Sequence, residues 1–274
     1  MFVLLATSWY CSAASAEDAW TWRTEFGPAF NHFDYREYDA SGTRLDSEKG
    51  TLPGAVAAIS HSWGDWEARI AADYYGQSVT YQGFAFNPAT QATRPLETTT
   101  RESIGSVEAT VTWWLDTRLT RLGVYAGAGM RWWGRDIHAN AAAGSSGAYE
   151  RYRFGYSMLG ARARLWTYGA LDVGVDGRIT RTIDPALDID YQGAFDSTHL
   201  SPTAKTAWRL AIPLDVKLDP HNSLRVEPYY LTWSMGKSSI EPLSRNGTSI
   251  GLGIYEPRSE TASAGLSVSW MHTF

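Results

Sequence analysis

The chain has 274 residues, of which 44% are hydrophobic and 14% aromatic, and its formal net charge is −5. No basic excess is present, so the composition argues against nucleic-acid binding. The single cysteine, Cys11, excludes a disulfide framework within the chain. The 13 tryptophans and 15 tyrosines are typical of a surface where an apolar wall meets water, because each ring has an apolar body and a polar tip.

The first 16 residues have the pattern of an export signal. An apolar stretch opens at Phe2, and Ala14-Ser15-Ala16 is a small-residue cleavage pattern before Glu17. The apolar run is well short of the roughly 20 residues that a transmembrane helix needs. We therefore predict a cleaved signal peptide at 1–16, which contains Cys11, and one mature domain at 17–274.

Period-two alternation dominates the remaining sequence. Trp66, Ile70 and Tyr74 occupy even positions, whereas Glu67 and Arg69 lie between them. A strand points successive side chains to opposite faces, so this segment has one apolar and one charged face. The pattern predicts an all-β fold of about ten strands, with eight and twelve as alternatives. The predicted strands are 20–33, 51–62, 66–81, 103–115, 121–135, 150–166, 170–182, 204–218, 223–236 and 258–274.

The sixth predicted strand changes parity near Ser157. Tyr152, Phe154 and Tyr156 place large rings on even positions, whereas Leu159 and the apolar residues after it occupy odd positions. A β-bulge inserts one extra residue and shifts the alternation by one. We therefore predict a bulge near Ser157.

The predicted connections alternate between short and long. Short turns lie at 64–65, after Leu115, at 167–169 and at 219–222, and the long segments are 34–50, 82–102, 136–149, 183–203 and 237–257. Bacterial outer-membrane barrels have short periplasmic turns, long outside loops and an even strand number. The layout predicts a closed antiparallel transmembrane β-barrel with both chain ends on the periplasmic side.

Acidic and basic residues share the polar face of the predicted strands. In a narrow barrel these charges face one another, and an unpaired buried charge is costly, so we expect a paired network that mostly fills the lumen. The residues of this predicted network are Arg23, Glu25, Glu67, Arg69, Asp73, Glu108, Arg131, Arg135, Arg162, Arg164, Asp172, Asp176, Arg178, Arg209, Asp215, Lys217, Arg225 and Glu227.

The last strand carries the most specific motif. Large or apolar residues alternate back from the terminal Phe274, at Trp270, Val268 and Leu266, with His272 as a departure from the usual aromatic or apolar residue. This ending resembles the terminal signature of outer-membrane barrel proteins. The resemblance implies a place in the bacterial outer membrane, contact with its lipid and lipopolysaccharide, and the barrel-assembly machinery as a partner.

The predicted size and layout also resemble the omptins, which are ten-stranded outer-membrane proteases. Their site uses an acid pair on one side of the barrel mouth and an Asp-His pair on the other. The fourth long segment offers Asp188, Asp190, Asp196 and His199, but the family's Asp-x-His spacing is absent, and 84–100 contains only Glu97 as an acid. The resemblance therefore covers the architecture and not the catalytic pattern.

The sequence thus favours a surface interaction or structural protein, or a narrow channel for small solutes. The alternative is an outer-membrane hydrolase, either an omptin-like protease or a lipid-modifying enzyme, with its site at the extracellular rim. No cofactor or metal site is predicted, and the pattern does not define the oligomeric state.

Overall fold

The computed structural model describes residues 20–87, 92–117 and 120–274, so the predicted signal peptide at 1–16 lies outside the described residues. The regular elements of these ranges are all β-strands. They are β1 (Thr21–Tyr38), β2 (Arg44–Trp63), β3 (Trp66–Asn87), β4 (Ala92–Asp116), β5 (Arg121–Ile137), β6 (Ala148–Tyr168), β7 (Leu171–Asp190), β8 (Thr198–Leu200), β9 (Thr206–Ala211), β10 (Leu214–Lys217), β11 (Asn222–Met235), β12 (Glu241–Arg245), β13 (Thr248–Ile254) and β14 (Arg258–Thr273). Within the described ranges, no helix has the length and apolar character needed to cross a membrane.

Ten strand positions form a closed antiparallel ring. Strands β1 to β7 pair in chain order, and β9 and β10 together occupy the eighth position, because each pairs with β7 on one side and β11 on the other. Strand β11 pairs with β14, and β14 pairs with β1 from Arg23 opposite Thr273 to Tyr38 opposite Arg258. The predicted all-β closed antiparallel barrel of about ten strands is confirmed.

The eighth position is interrupted where the sequence predicts one strand at 204–218. Pro213 lacks an N–H group and cannot donate to a ladder, so the position divides into β9 and β10. The neighbouring strands still bond across the break. Gly174 N–H donates to the Pro213 carbonyl at 2.8 Å, and Ile212 N–H donates to the Pro228 carbonyl at 3.0 Å.

Several strands run much further than their alternation predicts. Most of 34–50 and 82–102 is strand rather than loop, because β1 continues to Tyr38, β2 begins at Arg44 and β4 begins at Ala92. The hydrogen-bond ladder continues in these segments. Their outward side chains are polar, however, so the alternation of apolar and polar positions disappears. The connections that the structure describes at this end are 39–43, 138–147, 191–205 and 236–257, and they include β8 and the β12–β13 hairpin.

Short connections lie at the opposite end, at 64–65, 169–170 and 218–221, together with the start of β1 and the end of β14. Following the general rule for outer-membrane barrels, we call this the periplasmic end and the other the extracellular end.

An apolar band encircles the outside of the ring. Side chains at its middle, such as Ile70 and Leu210, are 55% and 46% exposed. Two aromatic belts border the band, one with Trp22, Trp66, Trp113 and Trp270 near the periplasmic end and one with Tyr74, Trp132, Trp208 and Tyr230 towards the extracellular end. Such belts mark the two interfaces of a bilayer. Beyond the second belt the outward side chains include Arg36, Lys49, Arg101 and Arg153, so that part of the barrel projects above the lipid.

Strand β6 keeps one parity from Tyr149 to Arg164, so the predicted bulge near Ser157 is wrong. Tyr152, Phe154 and Tyr156 are buried inside the barrel, and the even positions still face inward after Ser157. The β5–β6 pairing continues without a shift along its length. The error arose because large rings face the lumen as well as the lipid. Two shifts occur instead in the β6–β7 pairing. One lies between Arg153 and Gly155, where Asp184 of β7 has φ of 46°, and the other lies between Arg164 and Trp166, near the periplasmic end of β6.

The motif residues of the last strand lie on the outer face of β14. Leu266, Trp270 and Phe274 are 38%, 40% and 69% exposed, whereas Ser267 and Ser269 face inward. His272 Nδ1 lies 2.9 Å from Asn222 Oδ1, and its ring packs edge-on against Phe274 with centroids 4.6 Å apart. The departure from the motif is therefore a polar link between β14 and β11.

Candidate functional site

The eighteen charged residues predicted for the lumen lie at inward positions of their strands. Their ion pairs reach across the ring as well as along it. Arg162 of β6 lies 3.4 Å from Glu67 of β3, and Arg178 of β7 lies 2.7 Å from Glu108 of β4. Each of these pairs joins strands three positions apart in the ring, so the charges cross-link the lumen.

Closer strands add further pairs to this network. They are Arg23–Glu67 at 3.3 Å, Arg69–Glu25 at 2.9 Å, Arg162–Asp176 at 3.4 Å, Arg209–Glu227 at 2.5 Å, Lys217–Asp172 at 3.1 Å and Arg225–Asp215 at 2.7 Å. Three predicted members make no ion pair within the described residues. Asp73 accepts a hydrogen bond from Ser106 at 2.7 Å, Arg131 stacks over Trp233 at 4.7 Å, and Arg164 lies at the periplasmic mouth.

A layer of aromatic rings closes the lumen above the charge network. Trp133 of β5 contacts Phe33 of β1, with ring centroids 6.0 Å apart, and Trp233 of β11, with centroids 6.1 Å apart. Each contact joins strands four positions apart, so it spans nearly the full width of the barrel. Trp133 also stacks on Tyr152 at 4.5 Å. These four rings are at most 6% exposed and belong to one buried cluster, so they pack across the lumen with little access for solvent.

Six carboxyl groups surround one guanidinium in the part of the lumen that projects above the apolar band. The guanidinium belongs to Arg135, which is 1% exposed. The carboxyl groups come from strands around the ring and from the segment before β14, and they are Glu37, Asp46, Glu48, Glu102, Glu150 and Glu256. We call these six acids and Arg135 the rim cluster.

Arg135 holds the rim cluster together by charge-assisted hydrogen bonds. Its Nε donates to Glu48 at 3.2 Å, and its Nη1 donates to Glu150 at 2.6 Å and to Glu37 at 3.3 Å. The guanidinium also lies 4.4 Å from the centre of the Tyr35 ring. Because a guanidinium presents five donors in a fixed plane, one arginine can serve several acids at once.

The remaining acids of the rim cluster rely on neutral partners. Glu102 accepts a hydrogen bond from the Trp133 indole at 2.5 Å, and Glu256 accepts one from the Tyr152 hydroxyl at 2.8 Å. Six acids around one base cannot all be ionised in a buried site. Burial accordingly raises the pKa of Glu102 and of Glu256 well above the usual range, and raises the pKa of Glu150 to about 6.

The sequence predicted only Arg135 of the rim cluster. Glu37 and Glu48 lie in the predicted loop 34–50, and Glu102 closes the predicted loop 82–102. Each continues the inward parity of its strand. Glu37 could have been found by continuing the inward odd positions of β1 outward from Glu25. No signal in the sequence identifies Glu256, which precedes β14 and reaches the cluster through the fold.

The candidate catalytic residues Asp188, Asp190, Asp196 and His199 do not converge on one site. His199 Nδ1 lies 2.8 Å from Asp188 Oδ1, and Arg153 donates to the other oxygen of Asp188 at 2.8 Å. The hydrogen bond with His199, followed by the charge of Arg153, lowers the pKa of Asp188. This pair faces outward, because the adjacent Leu187 and Ile189 are the buried side chains of β7.

Asp190 and Asp196 have local structural partners. Asp190 accepts a hydrogen bond from the Gln192 N–H at 2.8 Å. Asp196 accepts hydrogen bonds from Asn246 N–H at 3.0 Å and Gly247 N–H at 2.8 Å, which lie at the tip of the β12–β13 hairpin. Asp196 therefore fastens the 191–205 connection to this hairpin.

The described residues contain no group of three or more His, Cys, Asp or Glu side chains arranged to hold a metal ion. The lumen contains cavities below the aromatic layer. One of about 140 Å³ lies within the charge network, and one of about 320 Å³ lies at the periplasmic mouth.

No protein-family model matches the chain, and no curated protein matches it significantly by sequence. Solved structures do match. The Escherichia coli outer-membrane protease OmpT has a TM-score of 0.63 at 13% identity, covering 95% of this chain and 98% of OmpT. OprG of Pseudomonas aeruginosa gives 0.41 at 9% identity, covering 94% and 97%. At 13% identity the similarity to OmpT shows the fold alone, which is that of an outer-membrane β-barrel.

Proposed function

We propose that this protein is a non-conducting outer-membrane barrel that acts at the cell surface, as an interaction or structural protein. The observation that carries the proposal is the aromatic layer, in which Phe33, Trp133 and Trp233 meet from strands across the ring. A solute channel of this width needs an open path, and here rings and paired charges fill the interior. Contact with outer-membrane lipid and lipopolysaccharide, and insertion by the barrel-assembly machinery, are part of the proposal.

The extracellular connections support a surface role because contacts hold two of them together. Arg245 of β12 donates from Nε to the Ala194 carbonyl at 2.9 Å, and its guanidinium lies 4.9 Å from the centre of the Phe195 ring. The same end exposes Ile240 and Ile250, which are 62% and 37% exposed. A preformed surface with exposed apolar side chains loses less conformational entropy when it binds a partner than a flexible loop does.

Single-channel recording in a planar bilayer tests the proposal. The wild-type protein should give small or no conductance steps. A variant with Phe33, Trp133 and Trp233 changed to Ala should conduct more, whereas Trp132→Ala, which removes the adjacent outward ring, should not change conductance. Large, steady steps from the wild-type protein would identify a channel and refute the proposal.

A surface hydrolase is the second candidate, and the contact between Asp188 and His199 is the observation that favours it. An imidazole oriented by a carboxylate is a common general base. In this protein, however, Arg153 also occupies the carboxylate, and the pair faces away from the barrel mouth. Hydrolysis of a peptide or phospholipid by the wild-type protein, lost in His199→Ala, would support this candidate instead.

A further inference from the structure

The periplasmic end of the lumen forms an open chamber, which we call the vestibule. Its volume is about 320 Å³, and strands around the ring supply its lining, including Arg23 of β1, Trp114 of β4 and Asp215 of β10. The smaller cavity of about 140 Å³ shares Arg162 and Arg225 with it. Because the aromatic layer closes the lumen above both, a ligand enters the vestibule from the periplasmic side.

Six cationic side chains line the vestibule, against five acidic ones. The cations are Arg23, Arg121, Arg162, Arg164, Lys217 and Arg225, and the acids are Glu67, Asp172, Asp176, Asp215 and Glu227. The difference of one charge is small, so the pairing geometry decides which sign of ligand the chamber accepts.

The carboxylates of the vestibule already have their partners. Glu67 has Arg162 on one oxygen at 3.4 Å and Arg23 on the other at 3.3 Å. Both oxygens of Asp215 accept hydrogen bonds from Arg225, at 2.7 and 2.8 Å.

The other three acids of the vestibule also have partners. One oxygen of Asp172 accepts from Thr167 at 2.5 Å, and the other lies 3.1 Å from Lys217. Both oxygens of Asp176 also have partners, Tyr125 at 2.8 Å and Arg162 at 3.4 Å, while Glu227 accepts from Arg209 at 2.5 Å.

The cations of the vestibule, in contrast, have N–H donors that no carboxylate of the chamber occupies. Arg164 makes no ion pair with any described residue, and the buried Nε of Arg23 has no hydrogen-bond partner there. A guanidinium carries five N–H donors, whereas an ionised carboxylate only accepts. A chamber with satisfied acceptors and unsatisfied charged donors attracts an anion and offers little to a cation.

An indole fixes two of the cations at the chamber wall. The guanidinium of Arg121 lies 4.7 Å from the centre of the Trp114 ring, and that of Arg162 lies 5.8 Å from it. Cation–π contacts of this kind restrain the side chains without consuming their in-plane N–H donors.

We propose that the vestibule is a binding site for small oxyanions from the periplasm, either phosphate or a small organic carboxylate. Arg23, Arg164 and Lys217 provide the donors, and Trp114 with its two arginines forms the wall. The site is independent of the proposed extracellular function, because the aromatic layer separates the two ends of the barrel.

Isothermal titration calorimetry of the folded protein in a zwitterionic detergent tests this site. Inorganic phosphate and citrate are titrated separately into the wild-type protein and into an Arg23→Gln, Arg164→Gln double variant. Glu67 keeps Arg162 as a partner in the double variant, so the barrel should still fold, which heat-modifiable gel mobility checks. The matched control is Arg94→Gln, Arg101→Gln, which removes two exposed arginines at the extracellular end of β4.

At least one of the two anions should bind the wild-type and control proteins. The double variant should bind that anion with a dissociation constant at least about tenfold higher. The anion that binds identifies phosphate or carboxylate as the preferred class. Equal affinity in the wild-type protein and the double variant would overturn the proposal, as would the absence of binding of both anions to the wild-type protein. Lys217→Gln, a change at a half-exposed side chain, provides the same comparison if the double variant does not fold.

Discussion

Replacing Arg135 by Met should destabilise the extracellular end of the barrel strongly. The change keeps an apolar chain of similar length but leaves the six acids of the rim cluster without a cation. Arg135 is 1% exposed, and its ion pairs with Glu48 and Glu150 are 3.1 and 2.6 Å long. Removing one partner of a buried ion pair costs about 3–5 kcal/mol, because the remaining charge stays buried without compensation.

The loss of stability caused by Arg135→Met should increase with pH. In the variant the acids can escape the penalty only by binding protons, so the folded variant retains more protons than the wild-type protein. Its stability relative to the wild-type protein therefore falls as the pH rises. We expect a small difference at acid pH and a growing difference as the pH rises through about 6, the pKa of Glu150 in the wild-type protein, because the loss of Arg135 raises this pKa further in the variant.

Urea unfolding in lipid vesicles, followed by tryptophan fluorescence, measures this difference. Arg101→Met is the control, because Arg101 lies at an exposed outward position beside Glu102, and its loss should change stability by less than about 0.5 kcal/mol. If Arg135→Met were no more costly than Arg101→Met at neutral pH, the guanidinium could not be the group that holds the cluster together.

Three further outcomes follow from the same structure. Ile70→Arg, at the middle of the lipid-facing band, should lower the free energy of unfolding by about 2–4 kcal/mol, measured by refolding into lipid. Ala71→Gln, which faces the lumen cavity, should lower it by less than about 1 kcal/mol, and equal losses would refute the assigned facing. The pKa of Glu150 is raised from 4.5 to about 6 by burial, so its contribution to stability is present below 4.5 and lost as the pH rises through 6; urea titrations over this range should show the decline. Gly129→Ala should be destabilising by thermal melting, because a Cβ there would lie 2.5 Å from Cζ of the Tyr156 ring, and Tyr156→Leu should relieve most of that loss.

The strand faces could be predicted wherever one side meets lipid and the other meets charge. Ile70 and Arg69 differ so strongly in polarity that their alternation reveals the facing of β3 without any structural information. Above the apolar band the outer face becomes polar too, and the contrast disappears at Asp34 and Arg36 although β1 continues. The ends of the strands therefore needed the hydrogen-bond ladder, which the sequence does not display.

The rim cluster could not be predicted because it depends on register. Glu48 lies opposite Tyr35, and Glu102 lies opposite Arg135, so these side chains reach one level only through the pairing of β1 with β2 and β4 with β5. Polarity is also a weak guide inside this lumen. Tyr152 and Phe154 face inward beside charged residues, and their rings suggest a parity change near Ser157 that β6 does not make there.

The aromatic layer and the rim cluster should respond differently to pH and salt. The aromatic layer is held by the packing of uncharged rings, which depends little on pH or salt. The rim cluster combines six acids with one base, so its stability depends on the protons that the acids retain. A change of pH should therefore affect the outer end of the barrel and leave the packing of the aromatic layer unchanged. In the proposed non-conducting barrel, a pH-dependent change at the rim cluster would therefore leave the aromatic layer in place, as a surface role requires and a transport role does not.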